Sequence, residues 1–239
     1  MSGHSKWATS HKKKEVADAK KGAAFTKIAA LITMAAREGG ADIDANFKLR
    51  LAVDKAHEAN MPKDNIDRAI KKGTGAAKDG ASFEEITYEI IGPMGIGYIA
   101  EAVTDNKNRT VGDLKAVVNK YGGQLGSTNS VAWNFRHRGV ISISGELTDE
   151  TELSLIDAGA EEIEKDDGAW LIITQPADLM IIAEKIKNLG LKVDDASLAY
   201  LPNEEVKITD AAEQEKIERL YNLIDDLDDI TNVYTNATW

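Results

Sequence analysis

Along the first third of the chain, apolar residues recur at helical spacing. In AAFTKIAALITMAAREGG, Phe25, Ile28, Ile32 and Ala35 share one face, with Ala29 and Ala36 alongside. That is the i, i+3, i+4 pattern of an amphipathic helix, and Gly39 and Gly40 stop it. Asp44 is placed to N-cap a second helix with Leu49, Ala52, Val53, Ala56 and Ala59 inward. Pro62 suits the first position of a third, with Ile66 and Ile70 inward and Gly73 after its end. Three helices joined by short loops predict a small bundle. Residues 73–82, GTGAAKDGAS, are rich in small residues and read as a linker.

Beyond the linker the period changes. FEEITYEII and IGYIAEAV read as strands joined by Gly92-Pro93-Met94-Gly95, TVGDLKAVVNKYGG as a helix ending at Gly122, and SVAWNF as a further strand. Then come a strand at 139–144, a helix at 149–159, strands at 160–166 and 169–174 broken at Gly168, a helix at 176–190 and a strand within 191–202. This β-α-β-β-α-β order is that of a ferredoxin-like split unit. A helix from Asp210 to about Asp229 and a strand around Val233 remain; they complete the element set begun before that unit. The expected fold is therefore multidomain, α and α+β: a basic helical bundle (1–80), a discontinuous α+β domain (81–137 with 205–239), and a ferredoxin-like domain (138–204) inserted in it.

Charge sharpens this division. The net charge is −11, but residues 1–80 hold 16 Lys and Arg against 10 Asp and Glu, residues 81–140 six of each, and residues 141–239 seven against 24. Such polarity suggests a polyanionic partner at the basic end and a solvated acidic surface at the other. The opening GHSKWATSHKKKEVADAKKG concentrates Lys6, Lys12, Lys13, Lys14, Lys20 and Lys21 around Trp7, with Lys27 following. On a helical projection Lys13, Lys14, Lys20 and Lys21 fall on the side of Phe25, Ile28 and Ile32. Lysines cannot be buried unpaired, so this part of the helix is expected to overhang its core. Nucleic-acid phosphate is the natural target, and Trp7 is placed to stack on a base, worth roughly 1–3 kcal/mol. The competing reading is a solvated tail whose Trp7 folds onto its own domain. A membrane surface fits poorly, because Ala17, Ala19 and Ala23 supply little apolar face.

A second basic set, Lys63, Arg68, Lys71 and Lys72, is interleaved with Asp64 and Asp67 as on an ordinary surface helix. In TDNKNRTVGD, Thr110 and Asp113 fit a capping box, and Lys107 and Arg109 lie beside a helix N-terminus, an anion site in its own right. GGQLGSTNSVAW has neither Walker A nor Rossmann spacing and reads as a flexible turn.

Signals for catalysis are absent. There is no cysteine, so disulfides, thiolate zinc sites and a Cys nucleophile are excluded. The histidines, His4, His11, His57 and His137, form no metal-ligand spacing, and neither G-x-S-x-G nor an EF-hand loop occurs. No enzyme, metal or cofactor is expected. No apolar run of about 18 residues predicts a membrane span, the basic start lacks an apolar h-region, and its Glu15 and Asp18 do not suit a transit peptide. A cytoplasmic location is expected.

Taken together, GHSKWA (3–8), DAKKG (18–22), FTK (25–27), AAREGG (35–40), ANMPKDNIDRAIKKG (59–73), TDNKNRTV (104–111), GGQLG (122–126) and SVAWNF (130–135) make the chain resemble the YebC/PmpR family over nearly its whole length. That family includes the mitochondrial translational activator of cytochrome oxidase. The resemblance implies a helical N-terminal domain followed by two α+β domains, the third inserted in the second, and a regulator of transcription that binds DNA. Its mitochondrial branch implies instead a role in translation at the ribosome. Carried onto this chain, the family's basic N-terminus corresponds to Lys6, Lys12, Lys13, Lys14, Lys20, Lys21 and Lys27, and an arginine of its TDN-R-NRT motif to Arg109, with Lys107 in place of the other. Two positions depart: Thr9-Ser10-His11-Lys12 stands where the family commonly has Asn-Ile-Lys-His, and Thr235 replaces a histidine before Asn236.

Three functions follow as expectations. The first is a DNA-binding transcriptional regulator; the second, a ribosome-associated factor that binds ribosomal RNA; the third, a protein-interaction adaptor using the ferredoxin-like unit.

Overall fold

The computed structural model describes residues 18–75, 83–166 and 169–239; at 18–21, 23 and 166 it describes the backbone alone. Helix α1 (Asp18–Gly39) buries the predicted stripe, Ile32, Ala35 and Ala36, with Phe25, Ile28, Ala29 and Leu31 at its margin. Against it pack α2 (Phe47–Glu58), through Leu49, Ala52, Val53 and Ala56, and α3 (Lys63–Gly73), through Ile66 and Ala69. Small side chains at the contacts let the helices approach closely. A Cβ on Gly73 would lie 2.3 Å from the Thr33 carbonyl oxygen and 2.8 Å from the Ala36 Cβ. This glycine is required by the crossing of α3 over α1 and is the last residue of α3, not a stop beyond it.

The cap of α2 is Asn46, not Asp44. The Asn46 side-chain oxygen accepts from the Leu49 amide at 3.1 Å, while its nitrogen donates to the carbonyls of Ala35 (2.7 Å) and Gly40 (2.8 Å). Only an amide both accepts and donates here; a carboxylate would oppose the two carbonyls. Asp44 stays exposed. At the other end of α2, Asn60 takes φ 56° and the Met61 amide reaches the Ala56 carbonyl at 2.8 Å, a Schellman closure that turns the chain into α3. Pro62 is the N-cap of α3 rather than its first helical residue.

β1 (Glu84–Ile91) and β2 (Gly97–Thr104) form an antiparallel hairpin running from Glu84 opposite Thr104 to Ile91 opposite Gly97. Helix α4 (Lys107–Lys120) follows, then β3 (Gln124–Leu125) and β4 (Phe135–Ser144). The stretch read as a strand at SVAWNF is a short 3-10 turn at Ala132–Asn134, and the strand begins only at Phe135. Next come α5 (Asp149–Asp157), β5 (Ala160–Asp166), β6 (Ala169–Thr174), α6 (Leu179–Asn188), β7 (Lys192–Pro202), β8 (Val206–Lys207), α7 (Ala211–Asp225), β9 (Ile230–Thr235) and β10 (Ala237–Thr238). Helix α6 starts three residues after Pro176, because Gln175–Asp178 forms a turn first.

One sheet has the order β3-β1-β2-β9, another β5-β6-β4-β7, all neighbours antiparallel, and β10 pairs with β8 in parallel. The chain thus leaves the first sheet after β3, builds the second, and returns to lay β9 beside β2. One face of β2 (Tyr98, Ala100, Ala102) packs on Leu114 and Val118 of α4 and on Ile217, Leu220 and Ile224 of α7. Its other face gives Ile99 to a cluster with Tyr234 and, from the second sheet, Val140, Ile173, Ala199 and Leu201. Burial on both faces is why β2 reads as a nearly continuous apolar run. Its one charge, Glu101, accepts from Asn232 at 2.9 Å and from the Tyr234 hydroxyl at 3.2 Å. The far face of the second sheet is covered by α5 and α6 through Leu155, Leu179, Ile182 and Ile186; Phe47 and Leu51 of α2 pack at the margin of that cluster.

Candidate nucleic-acid interface

The sequence-predicted cations fall into three places. Lys6, Trp7, Lys12, Lys13 and Lys14 lie outside the described residues, as do residues 76–82 of the expected linker and Gly168. Lys20 and Lys21 belong to the first turn of α1, where the backbone alone is described. Lys27 donates to the main-chain carbonyl of Asp225, the last residue of α7. A cation at a helix C-terminus is favoured by the unpaired carbonyls there, so Lys27 ties the bundle to the C-terminal helix.

On α3, Lys63, Arg68 and Lys71 are exposed and form no ion pair with a described residue. Lys72 lies 4.7 Å over the Phe83 ring. Other cations of the bundle are engaged: Lys48 pairs with Glu38 at 2.8 Å and Glu85 at 3.5 Å, and the Glu38 hydrogen bond raises its pKa; Arg50 donates to the carbonyls of Ile43 and Asp44.

At the start of α4 the structure brings Lys107 and Arg109 together, each with a carboxylate. The cap is Asn106, whose side chain accepts from the Arg109 amide at 3.1 Å, not Thr110. Thr110 is buried in the first turn, and its hydroxyl donates to Asp229 Oδ2 at 2.7 Å. Arg109 reaches the same carboxylate through Nη2 (2.8 Å to Oδ1, 3.0 Å to Oδ2) and Nε (3.3 Å), and Asp105 at 2.8 Å. Thr104 completes the set at 3.1 Å from Asp229. Burial would push the Asp229 carboxyl up, but the hydrogen bonds from Arg109, Thr110 and Thr104 outweigh it and hold the pKa below the ordinary range. Hydrogen bonds to Asp229 and then Asp105 raise the pKa of Arg109. Lys107 sits 2.5 Å from Glu84, with both side chains exposed.

The glycine-rich stretch 122–133 is fastened rather than loose. The Glu89 carboxylate accepts from the main-chain amides of Asn129 (2.5 Å), Val131 (2.7 Å) and Ala132 (2.8 Å). These donors, which would otherwise suit an anion, are filled from within, and they hold the Glu89 pKa down against its desolvation. A Cβ on Gly126 would fall 1.9 Å from the Ser130 hydroxyl. Trp133 projects from this loop, 62% exposed, with its indole N–H on the Ser130 carbonyl at 3.2 Å. The sequence pattern gave no sign of it, since a tryptophan in SVAWNF reads as a core strand residue. Thr235, at the departing position, donates to the Gly97 carbonyl at 3.0 Å.

Among the described residues no group of three His, Cys, Asp or Glu is placed to hold a metal ion, and no helix is long and apolar enough to cross a membrane. His137 stacks on Tyr200, ring centroids 4.8 Å apart.

Two family descriptions match the chain: "TACO1/YebC protein N-terminal domain" over residues 5–76 and "TACO1/YebC second and third domain" over 83–237. Similar chains include a "Probable transcriptional regulatory protein" of Rubrobacter xylanophilus, 42% identical over 99% of this chain and 95% of that one. One of the same description from Desulforapulum autotrophicum is 45% identical over 99% and 96%. Among solved structures, a conserved hypothetical protein of Aquifex aeolicus superposes with a TM-score of 0.83 at 36% identity, covering 94% of this chain and 93% of its own.

Proposed function

The chain belongs to the TACO1/YebC family, and from that premise we propose that it is a regulator of gene expression that binds nucleic acid through its helical unit. Relatives at 42–45% identity carry the name of transcriptional regulators, which makes duplex DNA the first target. The observation that carries the reading is electrostatic. Cations are in excess only in residues 1–80, and there Lys63, Arg68 and Lys71 stand without carboxylate partners among the described residues. The proposed footprint joins this α3 set to Lys6, Trp7, Lys12, Lys13, Lys14, Lys20 and Lys21. Lys27, Lys107 and Arg109 have a lesser part, because each already serves an internal acceptor. The unit is a binder, not a catalyst. Its two α+β domains, 81–137 with 205–239 and an inserted ferredoxin-like 138–204, would carry the acidic surface away from the polymer; the return of β9 to β2 supports that division.

Residues 141–239, with seven cations against 24 carboxylates, favour a second reading. A long duplex passing both ends would be repelled, whereas a folded RNA can meet one end alone. Binding measured across a salt series, with a DNA duplex and with ribosomes, separates the two. For a duplex, log affinity should fall against log salt by about 0.9 per phosphate contacted. Deleting residues 1–21 or substituting K63A/R68A/K71A should flatten that slope. Ribosome co-sedimentation with no duplex binding would overturn the transcription reading in favour of translation; an unchanged slope in both variants would remove the helical unit from the interface.

A further inference from the structure

Trp133 stands 62% exposed on the short turn that leads into β4. A ring of that size is ordinarily covered in large part, so what holds it outward decides what it can do. Its indole N–H donates to the Ser130 carbonyl at 3.2 Å. That N–H lies in the ring plane, so the bond fastens one edge and leaves the faces. Among the described residues neither face meets an aromatic ring or a cation. The main chain is fixed on both sides of it. Before Trp133, the Glu89 carboxylate holds the amides of Asn129, Val131 and Ala132. After it, the buried Asn134 clasps the chain that follows β7. Its Nδ2 donates to the Glu204 carbonyl at 2.9 Å, its Oδ1 accepts from the Glu204 amide at 2.8 Å, and its main-chain carbonyl accepts from the Asn203 amide at 2.7 Å. The Asn203 side chain donates to the Trp133 carbonyl at 3.3 Å. Ser127, Thr128 and Asn129 of the same loop are exposed, as is Asn203.

We propose that Trp133 is a stacking platform for an unpaired base of a folded RNA. The inference rests on the nucleic-acid reading above and narrows its target. A duplex keeps its bases stacked on one another and presents sugar, phosphate and groove edges, whereas an unpaired base offers a free face to an aromatic ring. A ring already fastened through its edge and its main chain loses little freedom on stacking. A partner protein is the poorer occupant. Aromatic anchors between proteins work in desolvated, closely packed pockets, and proline-rich segments take grooves lined by several aromatic rings. Here the loop and its neighbour offer hydroxyls and amides, which suit the edge of a base and a ribose. Glu89, the carboxylate within the loop, is spent on main-chain amides. The face of a base is neutral, so this contact adds affinity without neutralising a phosphate and is separable from the lysines by its salt dependence.

The test is equilibrium binding of the full chain, across a salt series, to two RNA probes: a hairpin with an unpaired adenine loop and a fully paired duplex of the same stem. The wild-type chain is expected to prefer the hairpin. W133A should weaken hairpin binding about five- to 150-fold at every salt concentration, with the slope, the duplex affinity and the unfolding midpoint unmoved. W133F, which keeps a ring, should retain most of the hairpin affinity. Hairpin binding untouched by W133A but lost in K63A/R68A/K71A overturns the inference and leaves the nucleic-acid reading standing. Equal loss on hairpin and duplex also overturns it, because Trp133 would then read no unpaired base. If the wild-type chain binds neither RNA the inference falls, and if it also ignores a DNA duplex the nucleic-acid reading falls with it.

Discussion

The exposed face of α3 and the first turn of α4 carry the same kinds of cation a few residues apart, and the fold treats them oppositely. Lys63, Arg68 and Lys71 have acidic neighbours in sequence, Asp64 and Asp67, yet form no ion pair with a described residue. Lys107 and Arg109 have partners that include residues far away in sequence: Glu84 from the hairpin and Asp229 from the turn before β9. The α4 set closes the first sheet, because Asp229 also accepts from Thr104 at the end of β2 and gives its main-chain carbonyl to Val103. A cationic motif beside a helix N-terminus therefore serves to hold the returning strand. The α3 set contributes little to folding and is free for a ligand.

The largest effect should come from breaking the α4 arrangement. Asp229→Ala removes the shared acceptor of Arg109, Thr104 and Thr110. We expect a loss of about 2–4 kcal/mol in urea unfolding. The stabilisation has a pH signature. Asp229 binds fewer protons folded than unfolded, because its folded pKa is depressed. Its contribution is present above the ordinary carboxylate pKa of about 3.9 and is lost as pH falls through the depressed value. Asp229→Asn should flatten the stability profile in that acid window. A loss under about 1 kcal/mol in the alanine variant would erase the distinction between the two cationic sets and return Arg109 to the ligand side.

Glu89 offers the next test, since it is the anionic counterpart of the same contrast: a carboxylate that fills a loop's amides from within. Glu89→Gln keeps the shape but presents an amide N–H₂ to main-chain donors. It should cost about 1–2 kcal/mol and leave Trp133 with broader, red-shifted fluorescence and faster quenching. Unchanged quenching would mean that the loop is held by packing alone.

What the chain's pattern disclosed follows the range of the forces involved. The stripe Ile32, Ala35, Ala36 and the spans of β5 and β6 were legible, because periodicity and glycine breaks are local. The errors fall where a distant group decides. Asn46 displaces Asp44 as cap because the carbonyls of Ala35 and Gly40 demand a donor. Thr110 is not a cap because Asp229, 119 positions on, takes its hydroxyl. SVAWNF is not a strand from its start because Glu89 draws its amides into a turn. For the interface, the excess of cations was visible in composition, but which of them are spent depends on pairings across the fold.

The smallest expected effect is the most pointed. Lys107 and Glu84 are both more than half exposed, so their 2.5 Å pair is screened by solvent and adds little to stability. The Glu84 hydrogen bond raises the Lys107 pKa, so the ammonium stays charged throughout the physiological range. Lys107→Ala should leave the unfolding midpoint essentially where it is. Its informative readout is the salt dependence of nucleic-acid binding. A slope reduced by about 0.9 for a duplex would mean that the ammonium leaves Glu84 for a phosphate and that the footprint reaches α4. An unchanged slope, with K63A/R68A/K71A lowering it, would confine the footprint to the helical unit and keep the α4 turn as the fastening of the sheet.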